Sequence, residues 1–202
     1  MACIIDRLNG IIRTMPTWIV YLLFSLPVPW LFYQGQTGGL GPEPINSLEA
    51  ELGKISLQLL IAGLTITPLR RYAGLNLMKF RRAFGLLAFF YVTIHLLVWL
   101  LLDVGILSQI WEDILKRPYI TIGMAGFLCL LPLAMTSNNM SVRRLGARWK
   151  QLHKLTYIAV LLGAVHFIWL VKGFQLEPLI YMAIIGILLA VRIPVHRMKI
   201  AR

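Results

Sequence analysis

Along the 202 residues, long uncharged apolar runs alternate with short charged connectors. Six runs stand out, at 17–35, 52–70, 83–103, 118–138, 152–172 and 178–193. A helix rises about 1.5 Å per residue and needs roughly 20 apolar residues to cross a hydrocarbon core of about 30 Å. The pattern therefore predicts an all-α integral membrane protein, a six-helix bundle forming one transmembrane domain over 1–202. The third and fifth runs are the clearest; the second and sixth have shorter uninterrupted cores. Pro27 and Pro29 fall inside the first span and Pro132 inside the fourth, where each is expected to bend its helix. Pro118 and Pro178 suit the first turns of spans four and six.

The polar connectors add an orientation. Arg7, Arg13, Arg70, Arg71, Lys79, Arg81, Arg82, Arg143, Arg144, Arg148, Lys150, Lys154, Arg192, Arg197, Lys199 and Arg202 fall on one side of the six-span arrangement, sixteen of the twenty basic residues. Lys54, Lys116, Arg117 and Lys172 fall on the other. Asp6 is the one acid on the basic side, and the other seven acids lie opposite. Cytoplasmic connectors of membrane proteins carry the Lys and Arg excess, so both termini are expected in the cytoplasm.

Composition agrees with this picture. The chain is 58% hydrophobic with a mean hydropathy of +0.75, above the ~45–50% of soluble domains. The net charge of +12 sits in clusters between apolar runs. It reads as membrane topology, with lipid and not nucleic acid as the surrounding partner. Cys3 and Cys129 form no C-x-x-C, no zinc spacing and no C-x-x-C-H, which excludes covalent haem attachment. The first run follows Arg7 and Arg13 as a signal peptide would, but it continues through "SLPVPWLFYQ" with no small-x-small cleavage site and is expected to be retained. The outer connectors, such as "GQTGGLGPEPINSLEAELGK" and "VGILSQIWEDILKRPY", serve either as solvated links or as a surface for a partner outside the cytoplasm.

The candidate chemistry is carried by histidines. His95 lies thirteen residues past Arg82 and His166 twelve past Lys154, on spans three and five, which run the same way. Both are then roughly 18–20 Å beyond their basic anchors, at matched depth. Ionisable groups inside a membrane are costly and usually functional, and neutral imidazole is the metal-ligating form. Two imidazoles at one depth on two helices can fill both axial positions of one haem iron. The alternative for each is a hydrogen bond to a neighbouring helix. Ala159 and Gly163 before His166, and Ala88 before His95, are small enough to leave room for a porphyrin.

His153 is harder to assign. It precedes His166 by thirteen residues, which on an ideal helix turns it about 140° away. Span three has no histidine at its inner end, where "KFRRAFG" stands. His153 is left as a ligand of a second haem, with help from a residue such as His196, as the neighbour of a quinone or flavin, or as a solvated interfacial histidine. Arg81, Arg82, Arg148 and Trp149 flank this level and are candidate contacts for the anionic groups of a cofactor. Membrane-boundary arginines also serve orientation and anionic lipids.

The segments "GGLGPEP" (38–44), "TITPLRRYAG" (65–74), "RRAFGLLAFFYVTIHL" (81–96), "RPYITIGM" (117–124), "PLAMTS" (132–137) and "WKQLHKLTYIAVLLGAVHFIWL" (149–170) together make the chain resemble the MsrQ family over nearly its whole length. These are haem-binding membrane subunits of bacterial protein-methionine-sulfoxide reductase systems. The resemblance implies a ferric-reductase-like, cytochrome b type bundle in the inner membrane that binds one or two b-type haems. Its haem-associated histidines map onto His95, His153 and His166. It implies an electron-transfer subunit with no substrate chemistry of its own. Electrons would come from the quinone pool, with FMN also associated, and pass to a periplasmic molybdopterin partner of MsrP type. The wider superfamily spaces its paired histidines by fourteen; the spacing of thirteen and the missing partner on span three leave the haem number open. The competing expectations are a stand-alone ferric or flavin-linked reductase, for which 202 residues hold no NADPH or flavin domain, and a haem-free transporter or assembly scaffold.

Overall fold

The structure, a computed structural model, describes residues 2–171 and 173–192. Within them the regular structure is helical. An amphipathic helix α1 (Ala2–Thr14) is followed by α2 (Thr17–Ser25), α3 (Pro27–Thr37) and the long α4 (Pro44–Tyr72). Then come α5 (Arg81–Val98), which ends in a π turn at Trp99–Val104, and a short helix α6 (Leu107–Lys116). The chain continues through α7 (Pro118–Met135), α8 (Asn139–Leu145), α9 (Ala147–Leu152), α10 (Leu155–Leu170) and α11 (Leu176–Ala190).

Four helical stretches are long and apolar enough to cross a membrane: Pro44–Tyr72, Met78–Val104, Pro118–Met135 and Ala147–Leu170. The first predicted span, 17–35, is the α2–α3 unit; it meets α1 at 82°, and the two make a fifth crossing if they are counted as one. Pro16 caps α2 in an extended conformation and sets that bend. Inside the span, α2 passes to α3 at Leu26, where Pro27 has no N–H to continue the ladder. The sixth predicted span falls short. Its helix α11 has 15 residues, about 22 Å of rise against a core of about 30 Å. The six-span count is thus not reached on helix length, and His196 and the end of the sixth run lie outside the described residues. The second helix begins eight residues before the expected 52–70. Hydropathy alone cannot see this extension, because it carries Glu49 and Glu51; Pro44 starts it, and Glu51 pairs with Lys54 at 2.5 Å.

The core lies where α4, α5, α7 and α10 meet. Leu52, Leu64, Tyr91, Ala88, Val160 and Ala164 are fully buried there. Small residues let the backbones approach: the Ser56 hydroxyl donates to the Ala88 carbonyl at 2.9 Å and joins α4 to α5. The Tyr91 hydroxyl donates to the Phe24 carbonyl at 2.7 Å, tying α5 to α2 beside the Pro27 break. Large apolar side chains such as Leu22, Trp30, Leu128 and Ile187 remain exposed on the outside of the bundle, as a lipid-facing surface requires.

The basic connectors gather at one end. Asn9 of α1 donates to Gly74 O at 3.0 Å and accepts from Asn76 N at 2.9 Å. Lys79 Nζ donates to Arg13 O and Met15 O at 3.0 and 2.5 Å. These bonds dock α1 against the α4–α5 connector. Arg82 donates two hydrogen bonds to Asn139 Oδ1. Arg192, at the end of α11, donates to Tyr157 Oη at 3.0 Å and to the Leu64 carbonyl. Ile4, Leu8 and Ile11 form an exposed apolar stripe along α1, the pattern of a helix lying in a membrane interface.

Candidate functional site

α5 and α10 carry His95 and His166, and the fold brings the two imidazoles together. Their ring centres are 6.2 Å apart and their planes stand at 82°. Each ring is aimed by a backbone carbonyl on a different helix. His95 Nδ1 is 2.9 Å from Glu49 O of α4, and His166 Nδ1 is 2.7 Å from Tyr119 O of α7. Tyr119 is the second residue of α7 and Glu49 the sixth of α4; Nδ1–H donates to both carbonyls, which fixes the tautomer and leaves Nε2 as the lone-pair nitrogen. His95 Nε2 lies 4.0 Å from Glu49 Oε1, beyond hydrogen-bond reach.

Two glycines make this arrangement fit. A Cβ on Gly53 would stand 3.3 Å from His95 Nδ1, and a Cβ on Gly123 would stand 2.9 Å from His166 Nδ1. Each imidazole therefore packs flat against a helix that has no side chain at that level. A cavity of about 260 Å³ lies between the rings, lined among others by Gly53, Leu57, Gly123, Gly126, Ala159 and Gly163. Ala159 and Gly163 take the role expected from their spacing to His166. Ala88 does not; it is absent from the cavity wall and instead closes the α4–α5 contact through its carbonyl.

The pair can be tested against the group that two such imidazoles would hold. With metal–imidazole bonds of about 2.0 Å and about 1.2 Å from ring centre to nitrogen, two axial imidazoles have centres roughly 6.4 Å apart. The observed 6.2 Å meets this within the width of a side-chain adjustment. The glycine-lined slot supplies the flat space, and the paired carbonyls supply the tautomer. The residues present fit a bis-imidazole haem site.

His153 sits elsewhere. It occupies the turn between α9 and α10, where hydrogen bonds shorten to three residues, as in Lys154 N to Gln151 O and Tyr157 N to Lys154 O. The stretch from His153 to His166 is therefore not one ideal helix, which is the geometry on which the expected offset of about 140° rests. The ring stacks on Trp149 at 3.8 Å, and its Nδ1 is 3.1 Å from Trp149 O. Its Nε2 is buried without a hydrogen-bond partner. Trp149 Nε1 donates to Thr136 O at 2.9 Å, holding the stack against the end of α7. Arg81 and Arg82 lie within electrostatic range of the His153 ring, whereas Arg148 is exposed. None of His153, Arg81, Arg82, Arg148 and Trp149 lines the cavity between His95 and His166. The sequence candidates thus divide into a central pair and a cluster at the basic end of the bundle.

Several residues of the central site had no sequence signal of their own. Gly53 and Gly123 are two among 16 glycines, and only the neighbouring helix shows why they must lack a Cβ. Glu49, Lys54, Asp103 and Arg117, which also line the cavity, read in sequence as connector charges. Trp99, one helical turn past His95, lines the same cavity, and Asp103 within the π turn lines it too.

Comparison with known proteins places this geometry. Residues 50–164, more than half of the chain, match the family model described as ferric reductase like transmembrane component. That segment holds His95 and His153 and stops two residues before His166. The chain is 48% identical over 177 residues to proteins named protein-methionine-sulfoxide reductase heme-binding subunit MsrQ from Brucella ovis, Brucella canis and Brucella abortus. Each alignment covers 87% of this chain and 80% of the relative. With identity at that level over most of both partners, the chain belongs to the MsrQ family within the ferric reductase like transmembrane components.

Proposed function

We propose that this protein is a b-type haem electron carrier of the bacterial inner membrane, with His95 and His166 as the axial ligands of one haem. The observation that carries this reading is the ring-to-ring distance of 6.2 Å between two imidazoles whose Nδ1 atoms are both engaged by backbone carbonyls. The relatives' name, heme-binding subunit, supports it. The haem supplies one-electron redox chemistry. The chain's own residues hold the ring nitrogens in the ligating tautomer, exclude a bulky neighbour through Gly53 and Gly123, and close the slot with apolar walls. Filling both axial positions favours electron transfer over oxygen chemistry.

In this reading the chain crosses the membrane six times, α11 belonging to the sixth crossing, and both termini are cytoplasmic. Electrons enter at the basic end from the quinone pool and leave at the acidic end to a periplasmic molybdopterin subunit of MsrP type, where methionine sulfoxide is reduced. The inner cluster of His153, Trp149, Arg81 and Arg82 is the entry site. The buried, unpartnered Nε2 of His153 supports a group bound there: a second haem, a quinone or FMN. Reduced-minus-oxidised visible spectroscopy of the purified chain tests the central claim. Low-spin b-type bands are expected, and a protein that purifies folded without haem overturns it in favour of a haem-free scaffold.

A further inference from the structure

The cavity between His95 and His166 is polar at one end and apolar at the other. Arg117 lies six residues before Gly123 on the α7 side, about 9 Å toward the acidic end of the bundle, and Lys54, next to Gly53 on α4, reaches Glu51 and Glu177 of that end with its ammonium group. Leu60 and Leu130 line the cavity seven residues to the other side of those two glycines, about 10 Å toward the basic end. Lys54 and Arg117 are the Lys and Arg side chains in the cavity wall among the described residues. Arg117 also borders a polar recess lined by Asp103, Gln109, Glu112 and Asp113.

A b-type haem has one acidic edge, with two propionates, and is otherwise apolar. Burying a carboxylate against Leu60 and Leu130 with no cation is unfavourable, whereas a charge-assisted hydrogen bond offsets the lost hydration. We propose that Lys54 and Arg117 hold the two propionates of the haem bound between His95 and His166, so that its acidic edge faces the acidic, outer end of the bundle. This rests on the haem reading above. Both cations are pre-positioned by carboxylates, Lys54 by Glu51 at 2.5 Å and Glu177 at 4.0 Å, and Arg117 by Asp113 at 3.3 Å. Three ammonium donors and five guanidinium donors leave capacity for a further acceptor on each. The inner arginines Arg81, Arg82 and Arg148 do not line this cavity and are not its propionate partners.

The test uses the full-length chain produced under haem limitation and titrated in detergent with haem and, separately, with haem dimethyl ester, whose propionates are blocked. The readouts are affinity and the low-spin spectrum. For the wild type, haem is expected to bind about tenfold or more tighter than the ester, the worth of a charged hydrogen bond. Lys54→Gln and Arg117→Gln should each lose about that factor toward haem while binding the ester as the wild type does. Lys54→Arg and Arg117→Lys should keep most of the preference for haem. Equal binding of haem and ester by the wild type overturns the assignment, as does equal weakening toward both ligands in the Gln variants. Absence of a low-spin spectrum with either ligand overturns the haem reading and this assignment with it.

Discussion

The imidazoles of His95 and His166, 71 residues apart in the chain, stand 6.2 Å apart at 82°, each turned by the carbonyl of a residue on a helix that carries neither histidine. The imidazole pair is therefore built by four helices, although only two supply the rings. If the pair holds the proposed haem, removing either imidazole would take away one of its two nitrogen donors. His95→Ala and His166→Ala are each expected to insert in the membrane yet lose the central low-spin haem and all electron delivery to the partner. Membrane fractionation followed by absorption spectroscopy checks both, and an unchanged low-spin spectrum in either variant refutes the pair.

The supporting helices should matter in proportion to how closely they approach. Gly123→Ala places a Cβ at 2.9 Å from His166 Nδ1, inside any ordinary contact, while Gly53→Ala places one at 3.3 Å from His95 Nδ1. Overpacking of this kind costs about 1–3 kcal/mol, so haem affinity in Gly123→Ala should fall by roughly ten- to a hundredfold. Gly53→Ala should fall by less. Haem titration of the two variants measures the order; a larger loss in Gly53→Ala would show that the α4 contact, and not the α7 contact, sets the ring position.

His153 stacks on Trp149 in the inner cluster and does not line the central cavity. His153→Ala is expected to keep a six-coordinate low-spin haem while slowing reduction by the donor, or to lose only a second, inner haem. Spectra and donor-reduction kinetics on the same preparation decide this. Loss of all haem from His153→Ala would contradict the separation of the two sites.

Orientation rests on charge. Sixteen of the twenty Lys and Arg residues fall on the side assigned to the cytoplasm, and the described ones among them, such as Arg13, Lys79, Arg82 and Arg192, are drawn to one end of the bundle by their hydrogen bonds. A reporter fused after Arg202 should be active in the cytoplasm. Activity of that fusion in the periplasm sinks the six-span arrangement.

Much of this architecture is legible from periodicity and charge, because a bilayer admits few solutions: apolar runs of sufficient length become helices, and the backbone must satisfy itself within them. The runs at 83–103 and 118–138 appear as α5 with its π turn and as α7, and the small residues Ala159 and Gly163 line the slot before His166 as their spacing required. Depth-matching alone singled out His95 and His166. Where hydropathy misjudged, charge was the cause: the outer turns of α4 carry Glu49 and Glu51 and still form helix, because Lys54 and the bundle end accommodate them. What only the tertiary structure decided are relations between helices. The carbonyls of Glu49 and Tyr119 that orient the rings, the absence of Cβ at Gly53 and Gly123, the recruitment of Ala88 to helix contact, and the placement of Lys54 and Arg117 at the polar end of the cavity all depend on which face of one helix meets which face of another. A linear pattern sets each helix's apolar stripe but not its rotation and axial offset against its neighbours, and those two quantities determine every distance at this site.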